Sequence, residues 1–401
     1  MRLKRAVLLF SSLAAAFGYA CTRVEPAGAP PEVAIGDAGF GGEAAGGSGS
    51  LAGEGGDGHG DTSVTVGGAP GSVELGLWPT FAPEQEQGTE AEAVLASIAA
   101  LSLGSGTLPV YERWDTLSGA TGAPRAMAWS LLDDLVAPYR ERNRALALCI
   151  GVVDRTVPAW PMTGEVNSVA ARLAMERTID EAFARYAEQL SHLCFGYEVD
   201  RYLASVSEPE GERVLELLEH AVGYARAHPL KSPRTALGVA ITMMAASDAA
   251  QLEALALGDE VVTVYDPLDE EGELRAPESI AADLEAVLEA LPRGQGDQAL
   301  PLTLFEAGYP SSADAGSSET AQRAFYETLF GALELHVDRV GFVGMFGLGD
   351  RAESICAAEA ISFAASEEAR AAARCTIGLR AKSGSAKAAW PSVLSALSRS
   401  R

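Results

Sequence analysis

Two glutamates close short apolar runs of this chain, and they are the residues best suited to chemistry. Glu198 ends His192-Leu193-Cys194-Phe195-Gly196-Tyr197, and Glu306 ends Leu300-Pro301-Leu302-Thr303-Leu304-Phe305. A carboxylate beside hydrophobic sequence at the mouth of a strand is costly unless it is used or paired. Two of them suit a division of labour in which one carries a proton and the other attacks carbon, the pairing that cleaves glycosidic bonds. Retention of configuration would need the two carboxyls about 5–5.5 Å apart.

The competing chemistries lack their residues. Neither Cys-x-x-Cys nor His-Glu-x-x-His occurs, and His192, His220, His228 and His336 are scattered, so neither a metal site nor a Cys/His nucleophile pair is expected. His59, inside Gly58-His59-Gly60-Asp61, reads as a solvated linker residue. No glycine-rich dinucleotide fingerprint follows the first strand, and no cofactor is expected.

Holding two distant glutamates at one mouth requires a scaffold, and the apolar pattern supplies it. Strands are expected near 73–78, 107–112, 145–153, 192–198, 235–241, 259–265, 300–306 and 340–347. Helical patterns fill 89–101, 126–142, 168–190, 209–227, 248–256, 277–291, 318–336 and 386–398. Parallel strands need crossovers of a dozen or more residues, so this alternation predicts an α/β fold, a (β/α)8 TIM barrel, with an open doubly wound sheet as the competing architecture. Active groups of such barrels sit at the C-terminal ends of the strands. Glu198 would close strand 4 and Glu306 strand 7.

That placement, with the local wording, resembles clan A of the retaining glycoside hydrolases. Phe195-Gly196-Tyr197-Glu198-Val199-Asp200 is similar to the clan's Gly-Asn-Glu strand, and Phe305-Glu306-Ala307-Gly308-Tyr309-Pro310 to its Glu-x-Gly-Tyr-Pro segment. Gly378-Leu379-Arg380 and Gly384-Ser385-Ala386-Lys387-Ala388-Ala389-Trp390 resemble the clan's closing segment. The resemblance covers about 72–401. It implies that Glu198 is the acid/base, that Glu306 is the nucleophile, and that Tyr265 hydrogen-bonds Glu306. Arg113, after strand 2, either holds Glu306 ionised or is a surface arginine.

One position departs from that pattern. Tyr197 stands where the clan carries an asparagine whose amide contacts the sugar 2-hydroxyl, and a phenol cannot reproduce an amide. The alternative reading is therefore a catalytically inactive barrel that binds glycan or scaffolds the cell envelope. Gly344-Met345-Phe346 on strand 8 likewise offers no tryptophan where many relatives stack a sugar. Trp78, Trp114 and Trp160 follow strands 1, 2 and 3 and are candidate sugar platforms, with simple packing as the other reading. Asp200 and Asp350 are candidate cleft groups, as are Asp154, Arg155 and Tyr202; for each, a local pair or a solvated loop is the plainer account. Trp129 and Trp390 fall in helical patterns and are expected in the core.

The N-terminus reads as an export signal over 1–21. Arg2, Lys4 and Arg5 precede the apolar stretch Ala6 to Ala20, too short and too rich in small residues to span a membrane convincingly. Cys21 then resembles the lipid-attachment cysteine of a bacterial lipoprotein, ordinary signal cleavage being the alternative. Thr22 lacks the aspartate that retains some lipoproteins at the inner membrane, favouring the outer one. Residues 22–72, rich in Gly and Ala, are expected to be a disordered tether, and 73–401 the barrel. The formal charge of −25 excludes electrostatic binding to nucleic acid or an anionic membrane; the expected partners are a carbohydrate and, through the lipid anchor alone, a membrane. Cys356 and Cys375 are expected to pair in a disulfide, and Cys149 and Cys194 to be buried apolar thiols.

Overall fold

The computed structural model describes residues 73–79, 90–265, 267–269, 273–294, 298–351, 373 and 375–400. The expected signal peptide, Cys21, the tether and Cys356 lie outside them. The described residues carry eight parallel strands: β1 Glu74–Leu77, β2 Thr107–Arg113, β3 Ala145–Asp154, β4 Leu190–Tyr197, β5 Ala236–Thr242, β6 Val261–Val264, β7 Leu302–Ala307 and β8 Val340–Met345. Each pairs with its sequence neighbour, and β1 pairs with β8 on one side and β2 on the other, so the sheet closes. The expected (β/α)8 barrel is the fold.

Sequence period decides which layer each side chain enters. Along β3, Leu146, Leu148 and Ile150 face the helices, whereas Ala147 and Cys149 face the lumen with Cys194, Ala240, Val262, Val264, Phe305 and Phe342. A parallel strand covered on both faces reads as a continuous apolar run, and Ala145 to Val153 is buried throughout. The helices supply the outer cover through one apolar stripe each. In Glu208–Ala227, Val214, Leu217, Leu218, Ala221, Val222 and Ala225 are buried, the i, i+3, i+4 spacing of a single face.

The barrel closes at a narrow seam. β1 makes four register pairs with β8, from Glu74↔Phe342 to Leu77↔Met345, but one with β2, Gly76↔Thr107. Side chains complete the β1–β2 joint: the Leu77 N–H donates to Ser105 Oγ at 3.1 Å, and the Thr107 hydroxyl donates to the Glu74 carboxylate. Gly76 must lack a side chain, because a Cβ there would lie 2.8 Å from both the Thr107 carbonyl oxygen and the Phe342 ring.

The cysteines differ from expectation at one pair. Cys149 and Cys194 are joined by a disulfide inside the lumen, with Cα atoms 4.5 Å apart. The reason is register, since the two residues stand opposite one another on β3 and β4 and face the same way. Cys375 is also disulfide-bonded. Its expected partner, Cys356, lies outside the described residues.

Candidate functional site

The end of β4 shapes the mouth of the barrel. Gly196 has φ +71°, and a Cβ there would lie 2.3 Å from Val199 Cγ2, so only glycine fits. Glu198 follows with φ +51°, left-handed and costly for a residue with a side chain, and helix Val199–Ser205 starts at once. This sharp turn keeps Tyr197 in the lumen cluster. Its ring is buried, 4.6 Å from the Tyr111 ring and 5.0 Å from the Arg155 guanidinium, and its hydroxyl donates to Glu306 Oε2.

Glu306 sits near the C-terminal end of β7 and is 3% exposed. Its backbone carbonyl accepts the Tyr265 N–H at 2.9 Å, while the Tyr265 ring stacks on Phe325 of helix Glu319–Leu335. A tyrosine hydroxyl on Glu306 is that of Tyr197, the residue standing where the amide was expected.

Glu198 is fully buried between two arginines. Arg155 Nε lies 3.1 Å from its Oε1, and Arg201 Nε 3.1 Å from its Oε2. Arg155 is itself left-handed, with φ +57°. The pairs continue outward, Arg155 to Asp154 at 3.2 Å, Asp154 to Arg113 at 3.4 Å and Arg113 to Asp115 at 2.8 Å. A chain of alternating charge therefore runs from the end of β2 to the helix after β4. Each buried member has an opposite charge beside it, which offsets the cost of desolvation.

Several expected contacts are made elsewhere. Arg113 does not reach Glu306: it is engaged by Asp115, two residues along the same segment, by Asp154, and by the Pro158 carbonyl at 3.1 Å. Trp114 is not a sugar platform. It is fully buried, its indole N–H donating to Thr178 Oγ1 at 2.9 Å. Asp200 accepts from the Thr242 N–H at 2.8 Å and its hydroxyl at 2.6 Å, tying the turn after β4 to the end of β5, and burial raises its pKa above the ordinary aspartate value. Asp350 forms a buried pair with Lys387 at 2.5 Å, and that ammonium also donates to Ser311 Oγ and the Thr376 carbonyl, fastening the chain after β8 to its closing segment. Burial raises the Asp350 pKa and lowers that of Lys387. Trp129 and Trp390 are buried as expected.

Two tryptophans keep partial exposure. Trp78 donates its N–H to the Phe305 carbonyl at 3.2 Å and packs against Phe305 and Phe346; Trp160 meets Tyr202 edge-on at 6.1 Å. Arg201 and Tyr111 were missed in the sequence. A signal existed for both, because Arg201 lies one helical turn past Glu198 and Tyr111 falls on the lumen parity of β2. Among the described residues no group of three or more His, Cys, Asp or Glu could hold a metal, and no helix is long and apolar enough to cross a membrane.

The architecture defines a class, the (β/α)8 barrels, and glycoside hydrolases are among the solved structures similar to it. A GH5_18 from Streptomyces cattleya in complex with GlcNAc superposes with TM-score 0.56 at 16% identity, over 82% of this chain and 80% of that one. An exo-β-1,4-mannosidase from Opitutaceae bacterium strain TAV5 gives 0.59 at 15% identity, over 83% of this chain and 60% of that one. The β-glycosidase BGL167 gives 0.55 at 14% identity, over 77% and 86%. At such identities the likeness is one of fold. No protein-family profile and no curated protein matches the chain.

Proposed function

We propose that this chain is a glycoside hydrolase acting on a β-linked oligosaccharide or polysaccharide, with Glu306 as its nucleophile. The observation that carries the reading is a buried carboxylate at the C-terminal end of β7, held by a tyrosine hydroxyl in the lumen. Glu306 would attack the anomeric carbon, and Glu198, closing β4 on the same mouth, is the second carboxylate of a retaining pair. The carbohydrate complexes among the similar barrels support a sugar as the partner. Glu306→Gln is expected to lower kcat by at least about a thousandfold while glycan binding, read by calorimetry, survives. Unchanged turnover in that variant would remove Glu306 from the chemistry.

A second reading has its own support. Two guanidiniums on Glu198 and a phenol in the amide's place favour a catalytically inactive barrel that binds glycan or scaffolds the envelope. It expects no turnover in the wild type or the Glu306→Gln variant, and affinity that depends on Trp78 and Trp160.

We further propose that the protein is exported and anchored through lipid on Cys21, with residues 22–72 as a tether of about 40 Å reach. The basic start, the short apolar stretch and the cysteine after Ala20 support this. Cys21→Ser is expected to abolish fatty-acid labelling and move the protein from the membrane to the soluble fraction. Membrane retention with undiminished label would refute the anchor.

A further inference from the structure

The end of the lumen opposite the mouth is polar, and strand parity explains why. His192 stands two residues before Cys194 on β4, Thr303 two before Phe305 on β7, and Glu260 two before Val262 of β6. Alternate residues of a strand share a face, so all three enter the lumen beneath its apolar layer. Gly238 of β5 leaves them room, since a Cβ there would lie 2.4 Å from Val262 Cγ2 and 3.4 Å from Glu260 Cγ. His192 Nδ1 lies 2.9 and 3.1 Å from the two Glu260 carboxylate oxygens, and the Thr303 hydroxyl donates to Glu260 Oε2 at 2.6 Å. The imidazole also stacks on the Phe342 ring of β8, 5.2 Å away. Glu260 thereby joins β4 to β7, strands that are not neighbours in the sheet.

We infer that the floor of the barrel is a proton-operated clasp: protonated His192 closes a charged pair with Glu260 that, with Thr303, ties β4 to β7, and loss of the proton releases the tie. The Glu260 side chain is 1% exposed, and a carboxylate so buried is costly without an opposite charge. Of its two partners, Thr303 is neutral, so His192 supplies that charge. The residues facing the ring from β3 and β5, Ala147 and Ala236, do not titrate, and the charged groups that act on it are Glu260 and, behind it, Glu74 of β1. Burial pulls the imidazole pKa down, but these two carboxylates outweigh it and raise the value above the ordinary 6.5. A group whose pKa is raised on folding contributes stability that is complete below its unfolded value and is lost as the pH rises through its folded one. The clasp is therefore closed below pH 6.5 and opens on the alkaline side. It is independent of the chemistry at the mouth.

The test reads the His192 ring in the full protein by NMR of carbon-13-labelled histidine, its signal assigned through its proximity to Phe342. The ring is expected to titrate above 6.5, and Glu260→Gln to bring that midpoint down. Urea unfolding of the wild type and of His192→Gln at pH 6 and pH 9 reads the consequence. The wild-type midpoint should fall between the two pH values by more than that of the variant, whose amide can bond to Glu260 but cannot titrate. Glu112, toward the mouth end of β2, is common to both proteins and cancels in the difference. A wild-type ring titrating at or below 6.5 overturns the inference whether or not either variant folds. A raised titration with equal falls in the two midpoints also overturns it, because the charged pair would then hold nothing together.

Discussion

Glu112 precedes Arg113 on β2, and burial pushes its carboxyl up to about 7 from an ordinary value of 4.5. A raised carboxyl favours the folded state most when protonated. Its contribution is complete below pH 4.5 and is lost as the pH rises through about 7. Glu112→Gln should therefore match the wild type near pH 4 and exceed it at pH 8 by about 1–3 kcal/mol, partial exposure lowering the upper figure. Urea unfolding at the two pH values checks it, and equal stability of the two proteins at pH 8 would contradict it. At this scale the sequence was legible where a residue's role depends on its place in a strand. Glu198 and Glu306 stand out because each ends an apolar run. Arg113 did not, because an arginine pairs with whichever acid the fold brings nearest, and Asp115 and Asp154 stand closer than Glu306.

β3 and β4 are linked by the Cys149–Cys194 disulfide, which closes a loop spanning 45 residues of sequence. In the chain-entropy account a cross-link of that span stabilises by about 4 kcal/mol by restricting the unfolded chain. Replacing both cysteines by alanine should lower the denaturant midpoint accordingly, and an unchanged midpoint would mean that the link contributes nothing. The strands and helices themselves were readable almost to their ends. Expected strand 145–153 is Ala145–Asp154, and expected helix 318–336 is Glu319–Leu335. Period and length decide such elements. The disulfide was not readable, because each cysteine is one apolar position in an apolar run and only the register of β3 against β4 sets them side by side. The short helix Val199–Ser205 was not among the expected elements for a similar reason: it starts from a left-handed glutamate, not from an ordinary cap.

The whole molecule carries a formal charge of −25, yet the site concentrates arginines, with Arg113, Arg155 and Arg201 along one edge of the mouth. Their partners are acids of the chain itself, so the mouth presents alternating charge, a surface compatible with an uncharged sugar. The architecture was legible because eight alternations admit few closed solutions. What happens inside the mouth was less so, because it depends on which side chains meet across sequence gaps of 43 residues, for Arg155 with Glu198, and 109, for Tyr197 with Glu306. The seam of the barrel has a consequence in mechanics. β1 is the first strand of the described residues, and one register pair, the Gly106 N–H on the Leu75 carbonyl and two side-chain bonds join it to the chain at β2. Tension on the N-terminal chain is thus delivered to the narrowest joint of the cylinder. The load would peel β1 from β2 before it strained β4 or β7, so the strands that carry the glutamates lie on the sheltered side of the wall.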